Sequence, residues 1–79
     1  MSSSLSQLTG IQLNCHSLNS NLVHVKLMIY NVRPDFIALS ETWLGGKKHN
    51  PRFINYHAHW RHRDGGFGGG LGLLTTVEA

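Results

Sequence analysis

The chain has 79 residues, enough for one small domain, since a chain of this size buries only about 60% of its unfolded surface. Apolar residues make up 41%, which excludes a disordered polar chain, while charged residues make up 14%, against about 25% in soluble domains generally, so part of the surface is expected to be covered by further protein. The formal charge is +3 and the single cysteine, Cys15, excludes an internal disulfide and fits a reducing compartment.

In chain order, residues 1–7 are Ser-rich and are expected to be frayed. They lack the basic flank and apolar run of a secretory signal, and no segment approaches the roughly 18 consecutive apolar residues of a membrane span. Leu8 to Asn14 places Leu8, Ile11 and Leu13 among small or polar neighbours, which predicts a strand over 9–14. Cys15 to Asn21 is rich in Ser and Asn, whose side-chain oxygens accept from unpaired first-turn amides at a helix start. Leu18, Leu22, Val25, Ile29 and Val32 then recur at helical spacing, predicting a helix over 20–32 with one apolar stripe. Pro34 disfavours helical geometry at Arg33 and should stop it there.

Phe36-Ile37-Ala38-Leu39 is apolar without alternation, as expected of a strand covered on both faces. Strand, helix and strand form a βαβ unit, in which the two strands run parallel. Asn14 and Glu41 therefore fall at the C-terminal ends of parallel strands, on the sheet edge where open α/β sheets bind ligands. Thr42 to Pro51 is a loop marked by Gly45-Gly46 and Asn50-Pro51. From Ile54 to Arg61 the residues alternate, with Ile54, Tyr56, Ala58 and Trp60 on one face and Asn55, His57, His59 and Arg61 on the other. Period two predicts a half-buried strand. A Gly-rich turn over 64–70 then leads into a last strand, 71–77, that should pair back as a hairpin.

Glu41 carries the most chemistry, because the sequence has only four acids: Asp35, Glu41, Asp64 and Glu78. At the end of an apolar strand it reads either as an oxygen ligand for a hard cation such as Mg²⁺ or as a solvated loop acid. Asn14 reads either as an amide that orients a phosphate or a metal-bound water, or as an Asx turn at the strand exit. Lys47, Lys48, Arg52, Arg61 and Arg63 form a basic run with no acid until Asp64, suited to phosphates or equally to an ordinary solvated loop. His57 and His59 share a strand face with His62 nearby, but no second cluster completes a zinc pattern, and Cys15-His16 is merely an adjacent pair. The glycines contain no phosphate-loop frame and read as a hairpin tip able to approach a nucleic-acid backbone. Cys15 has no evident base partner and reads as an inert core thiol.

The series Asn14-Cys15-His16-Ser17-Leu18, Pro34 to Leu44 (PDFIALSETWL), Pro51-Arg52-Phe53, Tyr56, Arg61-His62-Arg63-Asp64 and Gly68-Gly69-Gly70 resembles the start of an endonuclease/exonuclease/phosphatase domain. It is most similar to the apurinic-type endonuclease domain of non-LTR (LINE-type) retrotransposons, and the likeness covers about residues 9–77. The resemblance implies the α/β class, specifically the N-terminal portion of a four-layer α/β sandwich, a βαβ unit followed by a β-hairpin and incomplete, with 8–79 as a partial domain. It implies a Mg²⁺- (or Mn²⁺-) dependent phosphodiesterase that nicks DNA, in which Glu41 matches the metal-binding Glu and Asn14 matches the Asn that helps bind phosphate and metal. It implies DNA, the remainder of the domain and a reverse transcriptase in the same polypeptide as partners, and an intracellular, nuclear site of action. The order Arg61-His62-Arg63-Asp64 departs from the family's R-x-D-R, so the resemblance assigns no role to Arg63 or Asp64. The family's later motifs (a Tyr, an Asp-x-Asn and a Ser-Asp-His) have no counterpart here, so the chain is expected to be a fragment, inactive alone. Two other readings compete: a small basic nucleic-acid-binding module without catalysis, and a His-based metal protein.

Overall fold

A computed structural model describes residues 8–45, 49–63 and 69–77; residues 1–7 and the 64–68 part of the Gly-rich turn lie outside the described residues. The elements are β1 (Gly10–Asn14), a 3-10 turn (Asn19–Asn21), α1 (Leu22–Val32), β2 (Phe36–Ser40), β3 (Tyr56–Arg61) and β4 (Leu71–Thr76). The four strands form one mixed sheet in the order β1-β2-β4-β3, an α/β architecture. β1 and β2 pair in parallel with Gly10 opposite Phe36 and Asn14 opposite Ser40. β4 returns as the expected hairpin partner of β3 and also pairs antiparallel with β2, so it lies inside the sheet.

The segment before α1 uses its polar residues differently from a helix cap. Asn21 occupies the N-cap position, yet no side-chain cap bond forms. Its amide instead donates to the carbonyls of Cys15 at 3.0 Å, His16 at 3.3 Å and Ser17 at 3.2 Å, tying down the loop that leaves β1. The helix accordingly starts at Leu22, two residues later than the 20–32 expectation. It ends where Pro34 requires, with Arg33 in the left-handed region (φ 54) donating its amide to Ile29 at 2.7 Å.

Leu18, Val25 and Ile29 from the helical segment pack on Ile37, Leu39 and Leu74 from the sheet, with Cys15, Leu44 and Phe53 closing the core. Val32, assigned to the same stripe by spacing, is 54% exposed; at the last turn of α1 the stripe runs beyond what the sheet covers. Ile54 is 73% exposed, because the chain turns at Ile54–Asn55 (Asn55 φ 72) and β3 begins only at Tyr56. Within β3 the alternation holds, with Tyr56, Ala58 and Trp60 packed against the core and His57, His59 and Arg61 outward.

The expectation that β2 is covered on both faces is corrected. Ile37 and Leu39 are buried beneath α1, but Phe36 lies 41% exposed on the opposite face. Leu71 and Leu73, which pair across from Ser40 and Ala38, are also exposed there. No described element covers this face. Uninterrupted apolar sequence therefore marks two apolar faces, of which this chain fills one.

Two glycines are fixed by neighbouring rings. A Cβ at Gly72 would lie 2.6 Å from Trp60 Cζ3, so the indole can lie across β4 only above a residue without a side chain. A Cβ at Gly10 would fall inside the Phe36 ring, which crosses β1 on the open face.

Candidate functional site

The pairing registers set one row across the sheet: Asn14 opposite Ser40, Ser40 opposite Leu71, and Leu71 opposite Arg61. Since β3 is antiparallel to β4 and β4 to β2, the strands β1, β2 and β3 all exit at this edge. Asn14 ends β1, Glu41 follows β2, and Arg61 ends β3 with His62 and Arg63 after it. The edge where Asn14 and Glu41 were expected to meet thus also carries the last two basic residues of the run.

Beyond the strands the backbone stays laced. Cys15 donates to the Ser40 carbonyl at 2.8 Å, Ser17 to Glu41 at 3.0 Å and Leu18 to Thr42 at 2.9 Å, while Trp43 donates to Gly69 at 2.9 Å. Four residues of these two loops hold left-handed conformations: His16 (φ 47), Ser17 (φ 80), Glu41 (φ 52) and Trp43 (φ 56). Each such non-glycine residue costs about 1–2 kcal/mol, and strain of this kind concentrates at functional sites. The hydrogen bonds between the loops hold it in place.

The Glu41 carboxylate is fixed through one oxygen. Its Oε1 accepts from the Trp43 indole N–H at 3.0 Å and from the Gly69 amide at 3.3 Å. The Trp43 and Gly69 bonds, in that order, hold its pKa below the ordinary glutamate value, opposed by burial, and the Arg63 and His16 charges act in the same direction as the bonds. The His16 ring packs against Trp43, with centroids 4.7 Å apart at 51°. Sequence pattern marks neither ring as a site residue: His16 stands beside Cys15 as an adjacent pair, and Trp43 enters only through the resemblance. A signal existed for Trp43: an indole donor two residues after an acid at a strand exit.

The other candidates separate. Asn14 is exposed at the end of β1, and its side chain forms no Asx-turn bond to a described residue. Arg61 and Arg63 are exposed at the Glu41 edge, whereas Arg52 precedes β3 and lies toward the opposite end of the sheet. Lys47 and Lys48 lie outside the described residues. His57 and His59 point outward on β3, and among the described residues no group of three His, Cys, Asp or Glu side chains is placed to hold a metal. Cys15 is 4% exposed; burial pushes its thiol up, opposed by a backbone hydrogen bond from Ser40, as suits an inert core thiol. The Thr42 hydroxyl and His62 Nδ1 are buried without a hydrogen-bond partner among the described residues.

A single ionised carboxylate with exposed amide and guanidinium neighbours fits a cation of the Mg²⁺ type, which keeps several waters and is bound by one or two carboxylates together with substrate phosphate. It does not fit a closed structural zinc site, which needs four protein ligands. No protein-family model matches the chain, and no curated protein matches it either. No helix among the described residues is long and apolar enough to cross a membrane.

Proposed function

We propose that this chain supplies the Glu41-bearing part of a Mg²⁺-dependent DNA phosphodiesterase, an endonuclease acting in the nucleus alongside a reverse transcriptase, and that it is inactive without the rest of its domain. The observation that supports this most is the shared edge: Asn14, a preset Glu41 carboxylate, Arg61 and Arg63 brought together at the exits of three strands. In this reading Glu41 holds the metal, Asn14 orients the phosphate, and Arg61 and Arg63 attract the DNA backbone. Mg²⁺ (or Mn²⁺), when bound, supplies charge stabilisation at the phosphoryl oxygens and a more acidic water. General-base catalysis also requires a positioned proton acceptor, and the remaining carboxylates and the base come from further protein, which also covers the open sheet face.

Mn²⁺ titration of the 79-residue chain followed by amide NMR tests this reading. Paramagnetic broadening is expected around Glu41 and Asn14; broadening centred on His57 and His59, or none at millimolar Mn²⁺, sinks it. Supercoiled plasmid incubated with the chain and Mg²⁺ should stay unnicked. Nicking abolished by Glu41→Ala would overturn the claim of an incomplete site.

One observation favours the second reading, a non-catalytic nucleic-acid-binding module. His57, His59 and Arg61 line one exposed face of β3, a stripe that could track a backbone without Glu41. It predicts salt-dependent DNA binding that is unchanged in Glu41→Gln, without Mn²⁺ broadening at Glu41.

A further inference from the structure

The reading of Glu41 as a metal ligand leaves open what aims its carboxylate, a flexible side chain on a strained backbone. We infer that Trp43 is the positioning residue for Glu41: its indole N–H fixes Oε1 and thereby presents Oε2 outward as the oxygen that takes a divalent cation. This inference rests on the metal-ligand reading of Glu41 and adds a residue to it.

The geometry has three parts. First, both donors converge on the same oxygen, Trp43 Nε1 at 3.0 Å and the Gly69 amide at 3.3 Å. Among the described residues no donor reaches Oε2. Second, Trp43 is itself held: its backbone amide donates to the Gly69 carbonyl at 2.9 Å, and its ring packs against His16 at 4.7 Å. The indole is therefore an anchored donor, braced from the β1 exit loop and from the segment that leads into β4. Third, the residue carrying the carboxylate and the residue carrying the donor are both left-handed, at φ 52 and φ 56, with the buried Thr42 between them. With two extended residues, side chains i and i+2 would stand side by side on one sheet face. The two left-handed turns instead bring the indole N–H round to the carboxylate. A group that hydrogen-bonds a ligating carboxylate orients it, and losing such a partner typically costs 10–100-fold in metal affinity.

The experiment is Mn²⁺ binding to the full 79-residue chain, read by water-proton relaxation, for the native sequence, Glu41→Gln, Trp43→Phe and the double variant. Trp43→Phe keeps a ring and removes the donor. It should weaken Mn²⁺ binding about 10-fold or more, Glu41→Gln should abolish the site, and the double variant should match Glu41→Gln with no further loss. Weakened binding in a Trp43→Phe chain whose amide spectrum keeps the native fold is what a merely structural role for Trp43 would not produce. Should Trp43→Phe fail to fold, replacing Trp43 by β-(3-benzothienyl)alanine keeps the bicyclic shape and deletes only the N–H, with the same expected loss. Native affinity in either Trp43 variant, with loss in Glu41→Gln, overturns the positioning role and leaves the Glu41 reading standing. Native Mn²⁺ affinity in Glu41→Gln overturns the metal-ligand reading itself, and this inference with it.

Discussion

Glu41 and Thr42 are neighbours with opposite electrostatic situations. Glu41 accepts two hydrogen bonds in its ionised form, so it gives up its proton more readily in the folded chain than in the unfolded one. As pH falls, the unfolded chain takes up that proton first. The stabilisation is full above the ordinary glutamate value, about 4.3, and is lost as pH drops through the lower folded value. Urea denaturation at stepped pH should therefore show native stability falling relative to Glu41→Gln in this acid window, and parallel curves for the two proteins would refute the cause given. Thr42 has a fully buried hydroxyl with no partner among the described residues, a group whose desolvation costs about 1–3 kcal/mol. Thr42→Val keeps the shape and removes that cost, so its urea midpoint should stay level or rise. A loss above about 1 kcal/mol would mean that the hydroxyl has a bonded partner, a buried water among the candidates.

At the scale of elements, the hairpin of β3 and β4 depends on one absent side chain. Trp60 sits opposite Gly72, and a methyl group there would meet the indole at 2.6 and 2.8 Å with Leu39 at 3.5 Å beyond. Gly72→Ala should cost about 1–3 kcal/mol, the range for overpacking a filled site, measured by chemical denaturation. Gly10→Ala meets the Phe36 ring instead, but that ring stands 41% exposed on the open face and can swing away. The two substitutions should rank in that order, and equal losses would show that Phe36 is held as tightly as Trp60. The loop between β1 and α1 shows a related economy. Asn21 does not cap the helix, and the two hydrogens of its NH₂ group, shared among the Cys15, His16 and Ser17 carbonyls, brace the strained His16–Ser17 segment against which Trp43 packs.

For the molecule as a whole, the governing fact is the sheet face that no described element covers. Phe36, Leu71 and Leu73 are 41%, 55% and 42% exposed around the centre of β2 and β4, strands that each have partners on both sides. Contiguous exposed apolar surface of this kind marks a contact region. An apolar dye such as ANS should bind the folded chain there, and Leu73→Lys should reduce the signal while shifting stability by no more than about 0.5 kcal/mol, as expected of an exposed site. Unchanged dye binding would place the apolar surface elsewhere, with the exposed Val23 and Leu27 of α1 as the next candidate.

The sequence alone determined the order of elements, because hydrophobic period, Pro34 and the glycine turn act locally and each stretch carries its own signal. It also placed Asn14 and Glu41 on one edge, since a strand-helix-strand connection leaves the two strands parallel whatever else the chain does. Tertiary structure decided what local pattern does not encode. Insertion of β4 between β2 and β3 follows from strand pairing across more than 30 residues, and it is this pairing that brings Arg61 and Arg63 to the Glu41 edge. Likewise, Asn21 was legible as a cap by type, but its side chain is turned so that its NH₂ group donates to carbonyls of the strained loop, and its oxygen makes no cap bond. The donors on Glu41 come from Trp43, two positions along the chain, and from Gly69, on the far side of the hairpin. Two left-handed turns and a long-range strand pairing must both be in place before those groups meet, and neither is written in the residues at either end.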